Sequence, residues 1–251
     1  MLKILAIGNS FSEDATAYLH DIAALDGKEA KVVNLTIGAC SLETHWKNVL
    51  ADKADYDYQL NGNVETGRKV SLYEALTEED WDVVTFQQAS RDSGIDTSYY
   101  PFIKSLSTYV KKYAPHAQQY MHQTWAYEKD STHDGFANYG SDQATMQRQI
   151  NMAVLGAARN IKAKIIPCGE IFALLRALPG FDYANGGQTL CRDSSHAHPV
   201  YGRYALAATW YEVLFGGNIL ENSFLPPQAD ETVKPELIQS IKEIVHTTIT
   251  K

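Results

Sequence analysis

The chain has 251 residues and a formal charge of −8, from 22 Lys and Arg against 30 Asp and Glu. Its 45% hydrophobic and 21% charged content is ordinary globular usage and excludes a mainly disordered, collagen-like or coiled-coil chain. The acidic balance, with no basic stripe, argues against a nucleic-acid partner, because phosphate binding needs clustered Lys and Arg.

Leu2–Ile7 is predicted as a buried strand. The apolar run within it, Ile4–Ile7, is too short for a signal-peptide core or a membrane helix, and no later run approaches about 20 apolar residues. No membrane partner is expected, and the cytoplasm is the default location. Ala15, Leu19, Ile22 and Ala23 recur at helical spacing over residues 12–26, and Gly27 ends the run. Lys31–Ile37 is a second strand, Trp81–Phe86 a third, Ala117–Gln123 a fourth and Ala163–Pro167 a fifth. Helical periods fall near 99–114, 141–160, 169–178 and 199–215. A last amphipathic helix near 231–249 is expected to bury Val233, Leu237, Ile241, Ile244 and Val245. Cys40, Cys168 and Cys191 lie far apart without a CxxC pair and read as small buried residues of a reducing compartment.

Strands alternating with helices imply a mostly parallel sheet covered on both faces. The expected fold is α/β, a three-layer α/β/α sandwich, flavodoxin-like, with a sheet of about five parallel strands. Nothing reads as a linker, so one domain spanning 1–251 is expected. Two excursions, near 53–75 and 126–142, are long for simple connections and are candidate functional loops. The first reads as a loop or small hairpin.

In an open parallel sheet, chemistry gathers at the carboxyl ends of the strands. That rule selects Gly8-Asn9-Ser10-Phe11-Ser12, Gly38-Ala39-Cys40-Ser41, Gln87-Gln88-Ala89-Ser90 and His122-Gln123-Thr124-Trp125. A further string, Arg192-Asp193-Ser194-Ser195-His196-Ala197-His198-Pro199, precedes the helix near 199–215. A serine nucleophile needs a base, a carboxylate that orients the base, and donors for the developing oxyanion. Ser10 sits at a strand-to-helix turn. Asp193 and His196, three residues apart, allow the carboxylate to hold Nδ1 while Nε2 faces the serine. Gly38 can offer a backbone N–H, and Gln87 or Gln88 a side-chain amide. Each residue also has a plainer reading. Ser10-x-x-Glu13 fits a helix capping box, and Ser12 is an alternative cap that would free Ser10. Asp193, His196, Gly38 and Gln87 could each be ordinary turn, surface or strand-end residues.

The first string resembles the opening block of the SGNH (GDSL-type) hydrolases, with Asn9 where Asp is usual. Asp193-Ser194-Ser195-His196, followed by Gly202 and a long helix, resembles their D-x-x-H block, and Gly38 falls at their second-block glycine. The resemblance runs from residue 4 to about 215. It implies a flavodoxin-like fold and esterase or acylhydrolase activity without a cofactor. It also implies Ser10 as nucleophile, His196 as base, Asp193 as its orienting acid, and oxyanion donors from the Ser10 and Gly38 N–H groups. The third block departs: the family has G-x-N-D, this chain Phe86-Gln87-Gln88-Ala89-Ser90. Gln87, first off the strand, is taken as the third oxyanion donor. There is no G-x-S-x-G elbow of an α/β-hydrolase.

Asn9, Gln88, Ser90 and Trp125 are expected to contact substrate. Trp125, with Tyr127, Phe136 and Tyr139 in the second excursion, suits the faces of a sugar, which suggests an acetylated carbohydrate. The rival view of Trp125 is pocket-wall packing. Two other classes compete. Asp193, His196 and His198, with His122 on a neighbouring strand, have side chains that suit a Zn²⁺-like ion and a metal-dependent hydrolase. A non-catalytic carbohydrate-binding protein would explain the altered third block. A flavin or nucleotide domain lacks its phosphate-binding strings.

Overall fold

In the computed structural model, residues 1–227 and 233–251 are described. The strands are β1 (Leu2–Gly8), β2 (Ala30–Thr36), β3 (Tyr56–Leu60), β4 (Lys69–Val70), β5 (Val83–Phe86), β6 (Gln118–His122) and β7 (Lys164–Ile166). They form a seven-stranded sheet in the order β4-β3-β2-β1-β5-β6-β7. The five strands from β2 to β7 in that order are parallel, and they are the five expected from the apolar runs. The other two come from the first excursion. Its chain runs antiparallel to β2 as β3, turns at Asn61 and Gly62, both with positive φ, and returns antiparallel to β3 as β4. The sheet is therefore larger than the five strands expected.

Helices fall on both faces. The helices are α1 (Ser10–Thr16), α2 (Leu19–Leu25), α3 (Leu42–Ala51), α4 (Leu72–Thr77), α5 (Phe102–Tyr113), α6 (Gln143–Ile161), α7 (Cys168–Arg176), α8 (Tyr201–Phe215) and α9 (Pro235–Ile249). Right-handed crossovers place the connections on opposite faces either side of β1, because the chain moves one way to β2 and the other way to β5. Accordingly α1, α2, α7 and α9 pack around α8, while α3, α4 and α6 pack against α5. This is a three-layer α/β/α sandwich. β1 is buried from Ile4 to Gly8 because helices cover both its faces. Each such Ile or Leu contributes about 1.5–3 kcal/mol of burial energy.

Four helical features differ from the sequence reading. Residues 12–26 are two helices, broken at Ala17 and Tyr18. α3 and α4 have no counterpart in that reading. The buried positions of α3 are Leu42, His45 and Asn48, two of them polar, and the Ser41 hydroxyl caps it by accepting from the Thr44 N–H. The helix expected near 231–249 is observed from Pro235. Positions 231 and 232 lie outside the described residues. Leu237, Ile241 and Val245 are buried as expected, whereas Val233 and Ile244 are half-buried against the core.

The strand order reverses between β1 and β5. The crevice outside their carboxyl ends is where ligands bind in such sheets, and Ser10 follows β1 directly.

Candidate active site

Asn9 decides how α1 begins. Its extended backbone lets Oδ1 accept the Phe11 N–H at 3.0 Å, so Asn9 is the N-cap and Ser10 the first helical residue. The capping-box reading of Ser10 is thereby overturned. Ser12 is not the cap either: its hydroxyl donates to the Asn9 carbonyl and Asn34 Oδ1. Glu13, the other half of the expected box, takes a hydrogen bond from Gln59 instead. Gly8 must lack a side chain, because a Cβ there would overlap Ser12 Oγ and press on Gln87.

The Ser10 hydroxyl is thus unspent, and Oγ lies 2.8 Å from His196 Nε2. His196 Nδ1 lies 2.7 Å from Asp193 Oδ2. Asp193 Oδ1 accepts from the His196 N–H at 2.8 Å, and from the Ser195 N–H and hydroxyl at 3.2 and 3.0 Å. Partial burial works to raise the Asp193 pKa. The hydrogen bonds from the His196 N–H, the imidazole and the Ser195 N–H outweigh it and hold the carboxyl down to about 2. The acid is therefore ionised at neutral pH and fixes the Nδ1 proton, leaving the Nε2 lone pair toward Ser10.

The loop carrying both residues is a small hairpin. Cys191 bridges Ala197, the Arg192 N–H donates to the His196 carbonyl at 2.9 Å, and Ser194 turns the tip at φ +66°. Asp14 of α1 holds it from below. Fully buried, it accepts from Arg192 Nη1 at 2.9 and 3.0 Å, from Arg203 Nε at 2.8 Å and from the Ala197 N–H at 2.9 Å. The second excursion holds the hairpin from the side, where the Glu128 N–H donates to the Ser194 carbonyl at 2.8 Å. Glu128 itself pairs with Arg176 at 3.1 Å in a nearly buried contact.

A cavity of about 340 Å³ opens over Ser10. Its wall comes from Asn9 and Phe11, from Gly38 and Ala39 after β2, from Ala89, Ser90 and Arg91 after β5, from His133 of the second excursion, and from Ser195 and His196. The Ser10 N–H is an orphan donor of the first helical turn. A Cβ on Gly38 would meet nothing within 4 Å, so this glycine faces open space. A larger cavity of about 530 Å³, beside Lys129, Gln143 and Arg176, contains none of Ser10, His196 and Asp193. Of these two cavities, Ser10 and His196 border only the smaller.

The remaining expected site residues fall elsewhere. Gln87 is 1% exposed and does not reach the cavity. Its Nε2 donates to Asn9 Oδ1 at 2.6 Å, and its Oε1 lies 2.8 Å from His122 Nδ1. Burial pushes the His122 imidazole down to about 3, so it is neutral and donates that proton. Gln87 is thus a brace behind Asn9, not an oxyanion donor. Gln88 is also committed inward: Oε1 accepts the Leu42 and Ala89 N–H groups, and Nε2 donates to Ser98. Asn9 borders the cavity, but its amide is used by Phe11, Gln87 and the Cys40 carbonyl. Trp125 is fully buried, stacks on Phe11 at 4.3 Å and donates to the Ser195 carbonyl at 2.8 Å. It supports the hairpin and is closed to substrate. Tyr127, Phe136 and Tyr139 are likewise buried, so the expected sugar-stacking surface is absent from this excursion.

Ser90 does reach the cavity, with its hydroxyl 2.8 Å from the Tyr127 hydroxyl. Burial raises the Tyr127 pKa to about 12, against a small opposing pull from Ser90, so the phenol stays protonated. Among the described residues no three His, Cys, Asp or Glu side chains are gathered to hold a metal ion, and the Asp193, His196 and His198 string does not converge. No described helix is long and apolar enough to cross a membrane.

The sequence reading missed Asp14, Arg91 and His133. Asp14 carried a signal: it is a charge beside Phe11 and Ala15 on a face that otherwise reads as apolar. Arg91 and His133 carried none beyond the length of the loops that hold them.

A family model described as a domain of unknown function, DUF4886, matches residues 3–246. The chain belongs to the DUF4886 family. A solved DUF4886 family protein from Bacteroides uniformis is 34% identical, covering 99% of this chain and 95% of its own, with a TM-score of 0.87. A candidate SGNH hydrolase from Slackia heliotrinireducens is 24% identical over 84% of this chain and 97% of its own, with a TM-score of 0.56. An acetyl xylan esterase is 11% identical over 85% of this chain and all of its own, also at 0.56. This DUF4886 chain therefore has the fold of SGNH hydrolases and esterases. No curated protein matches it by sequence.

Proposed function

We propose that the chain is a serine ester hydrolase of SGNH type that removes a small acyl group. The observation that carries this reading is the continuous chain Ser10 Oγ–His196–Asp193, with contacts of 2.8 and 2.7 Å, facing an open cavity. Ser10 Oγ attacks the acyl carbon while Nε2 takes its proton. Asp193 holds the imidazolium that forms. The oxyanion is met by the Ser10 and Gly38 N–H groups and, in place of a third-block asparagine, by Ser90. If the Tyr127 phenol donates to Ser90 Oγ, the Ser90 proton is free to point at the oxyanion. Nε2 then returns its proton to the leaving alcohol, and the acyl group remains on Ser10. Water, deprotonated by the same nitrogen, attacks the acyl-enzyme and frees the acid and Ser10.

Small walls, Ala39 and Ala89, suit an acetyl-sized acyl group. The fold shared with an acetyl xylan esterase supports the same acyl class. The test is intact mass after exposure to a fluorophosphonate, with peptide mapping. A single adduct on Ser10, lost in His196→Ala, is expected. A folded sample that takes no adduct would overturn the reading.

A further inference from the structure

The lining of the cavity over Ser10 has an unusual charge. The protein carries −8 overall, yet none of the residues that line this cavity is an Asp or Glu, and one is an arginine. Asp92 and Glu43 line the adjoining cleft, Asp193 is taken up by His196, and Asp134, beside His133, is not part of the lining. Arg91 Nε lies 3.6 Å from Asp92, a loose contact that leaves the two terminal nitrogens of the guanidinium without a protein partner among the described residues.

The backbone under Arg91 is fixed although its side chain is half exposed. Its carbonyl accepts from the Tyr139 hydroxyl at 2.9 Å and from Asn138 Nδ2 at 3.3 Å. Gly135 is packed so closely that a Cβ there would overlap the Arg91 Cβ. His133 stands beside it on the same rim. Its Nδ1 accepts the Gly135 N–H at 3.0 Å, so the ring proton is on Nε2. The rim thus offers a planar two-nitrogen fork and a neutral N–H donor, on a buried aromatic footing.

Resting on the esterase reading above, we propose that Arg91, assisted by His133, makes this site select esters whose alcohol portion carries a carboxylate. A guanidinium fork binds a carboxylate through two parallel hydrogen bonds. Arg91, already loosely paired with Asp92, is the one formal cation of the lining, which suits a monoanion better than a phosphate dianion. The acyl group lies toward the small walls at Ala39 and Ala89, so the alcohol projects toward the rim.

The probes are 4-acetoxybenzoate and its methyl ester, compared in the wild type and in Arg91→Ala and Arg91→Lys. The ratio of kcat/KM for the acid over the methyl ester is expected to fall about ten-fold in Arg91→Ala, through KM, and to recover in part in Arg91→Lys. The wild-type ratio is also expected to shrink with salt. An unchanged ratio in Arg91→Ala overturns the proposal. Binding is measured separately by NMR titration with 4-hydroxybenzoate and 4-hydroxybenzamide. The wild type is expected to bind the carboxylate about ten-fold more tightly than the amide, and equal affinities overturn the proposal even where no ester is cleaved. A carboxylate preference without hydrolysis or a Ser10 adduct would defeat the esterase reading alone.

Discussion

Asp14 and Arg192 form an ion pair that joins the helix of Ser10 to the hairpin of His196, with both carboxylate oxygens within 3.0 Å of Nη1. Nucleophile and base lie 186 residues apart in sequence, and this pair, with the Ala197 N–H on the same carboxylate, ties their elements together. Breaking one side of a buried pair costs about 3–5 kcal/mol because the partner is left uncompensated. Arg192 and Arg203 are 32% and 26% exposed, which lets water recover part of that. Asp14→Asn should therefore lose roughly 2–3 kcal/mol in urea unfolding. Its fluorophosphonate labelling at Ser10 should slow by more than ten-fold at a temperature where it is still folded. An unchanged rate would show that the hairpin positions His196 without α1.

Asn9 stands where the resembling family has aspartate, and the substitution Asn9→Asp looks like a repair. The hydrogen bonds argue the reverse. Oδ1 can still accept from Phe11 and Gln87, but Nδ2 now donates to the Cys40 carbonyl at 3.1 Å. An aspartate oxygen in that place would face a buried carbonyl with no proton between them. The expected cost is about 1–3 kcal/mol of stability, read as a lower melting temperature. Asn9→Ala loses the cap as well. Equal melting temperatures for wild type and Asn9→Asp would contradict the assignment of the amide.

Gln87 separates two roles by which quantity moves. Loss of an oxyanion donor lowers kcat about 10²–10³-fold and leaves stability nearly intact. Loss of a buried brace strands the His122 N–H and weakens the hold on Asn9, at about 1–3 kcal/mol. Gln87→Met is expected to follow the second pattern, with a clear fall in urea midpoint and a kcat loss below ten-fold. Ser90→Ala is expected to follow the first. The opposite assignment would return Gln87 to the oxyanion hole.

Parallel strands such as Ile4–Ile7 and Val83–Phe86 were legible because a strand covered on both faces is nearly all apolar. The first excursion was legible as a loop or small hairpin, but its joining the sheet beside β2 was not, since Tyr56–Leu60 alternates with Asp57 and Gln59. Ser10, Asp193 and His196 could be picked out because strand order and spacing restrict where a nucleophile and its base can meet. The third block could not be resolved. Whether an amide points at a cavity or away from it depends on neighbours distant in sequence: His122 takes one end of Gln87, and Leu42 and Ser98 take Gln88. The aromatics of the second excursion misled for a related reason. A long polar loop needs a core of its own, and Tyr127, Phe136 and Tyr139 supply it.

Asp193 sets the shape of the pH profile. Its carboxyl is held down to about 2, below the usual value near 3.9 of an unfolded chain. A depressed acid stabilises the fold fully above its unfolded pKa and loses that contribution as the pH falls through its folded one. The Asp193 contribution is therefore complete above about pH 4 and lost near pH 2. Between pH 4 and 7 the carboxylate stays ionised, so Asp193 adds no proton of its own to an acid limb of log kcat/KM in that range. A slope of two there would show Asp193 taking up a proton in that range. Asp193→Asn should lower kcat by about 10³–10⁴-fold, since an amide N–H aimed at Nδ1 favours the tautomer whose Nε2 already bears a proton. Its ¹H NMR spectrum should lose the downfield imidazole proton held between His196 and Asp193 in the wild type, and a retained resonance would place that proton elsewhere.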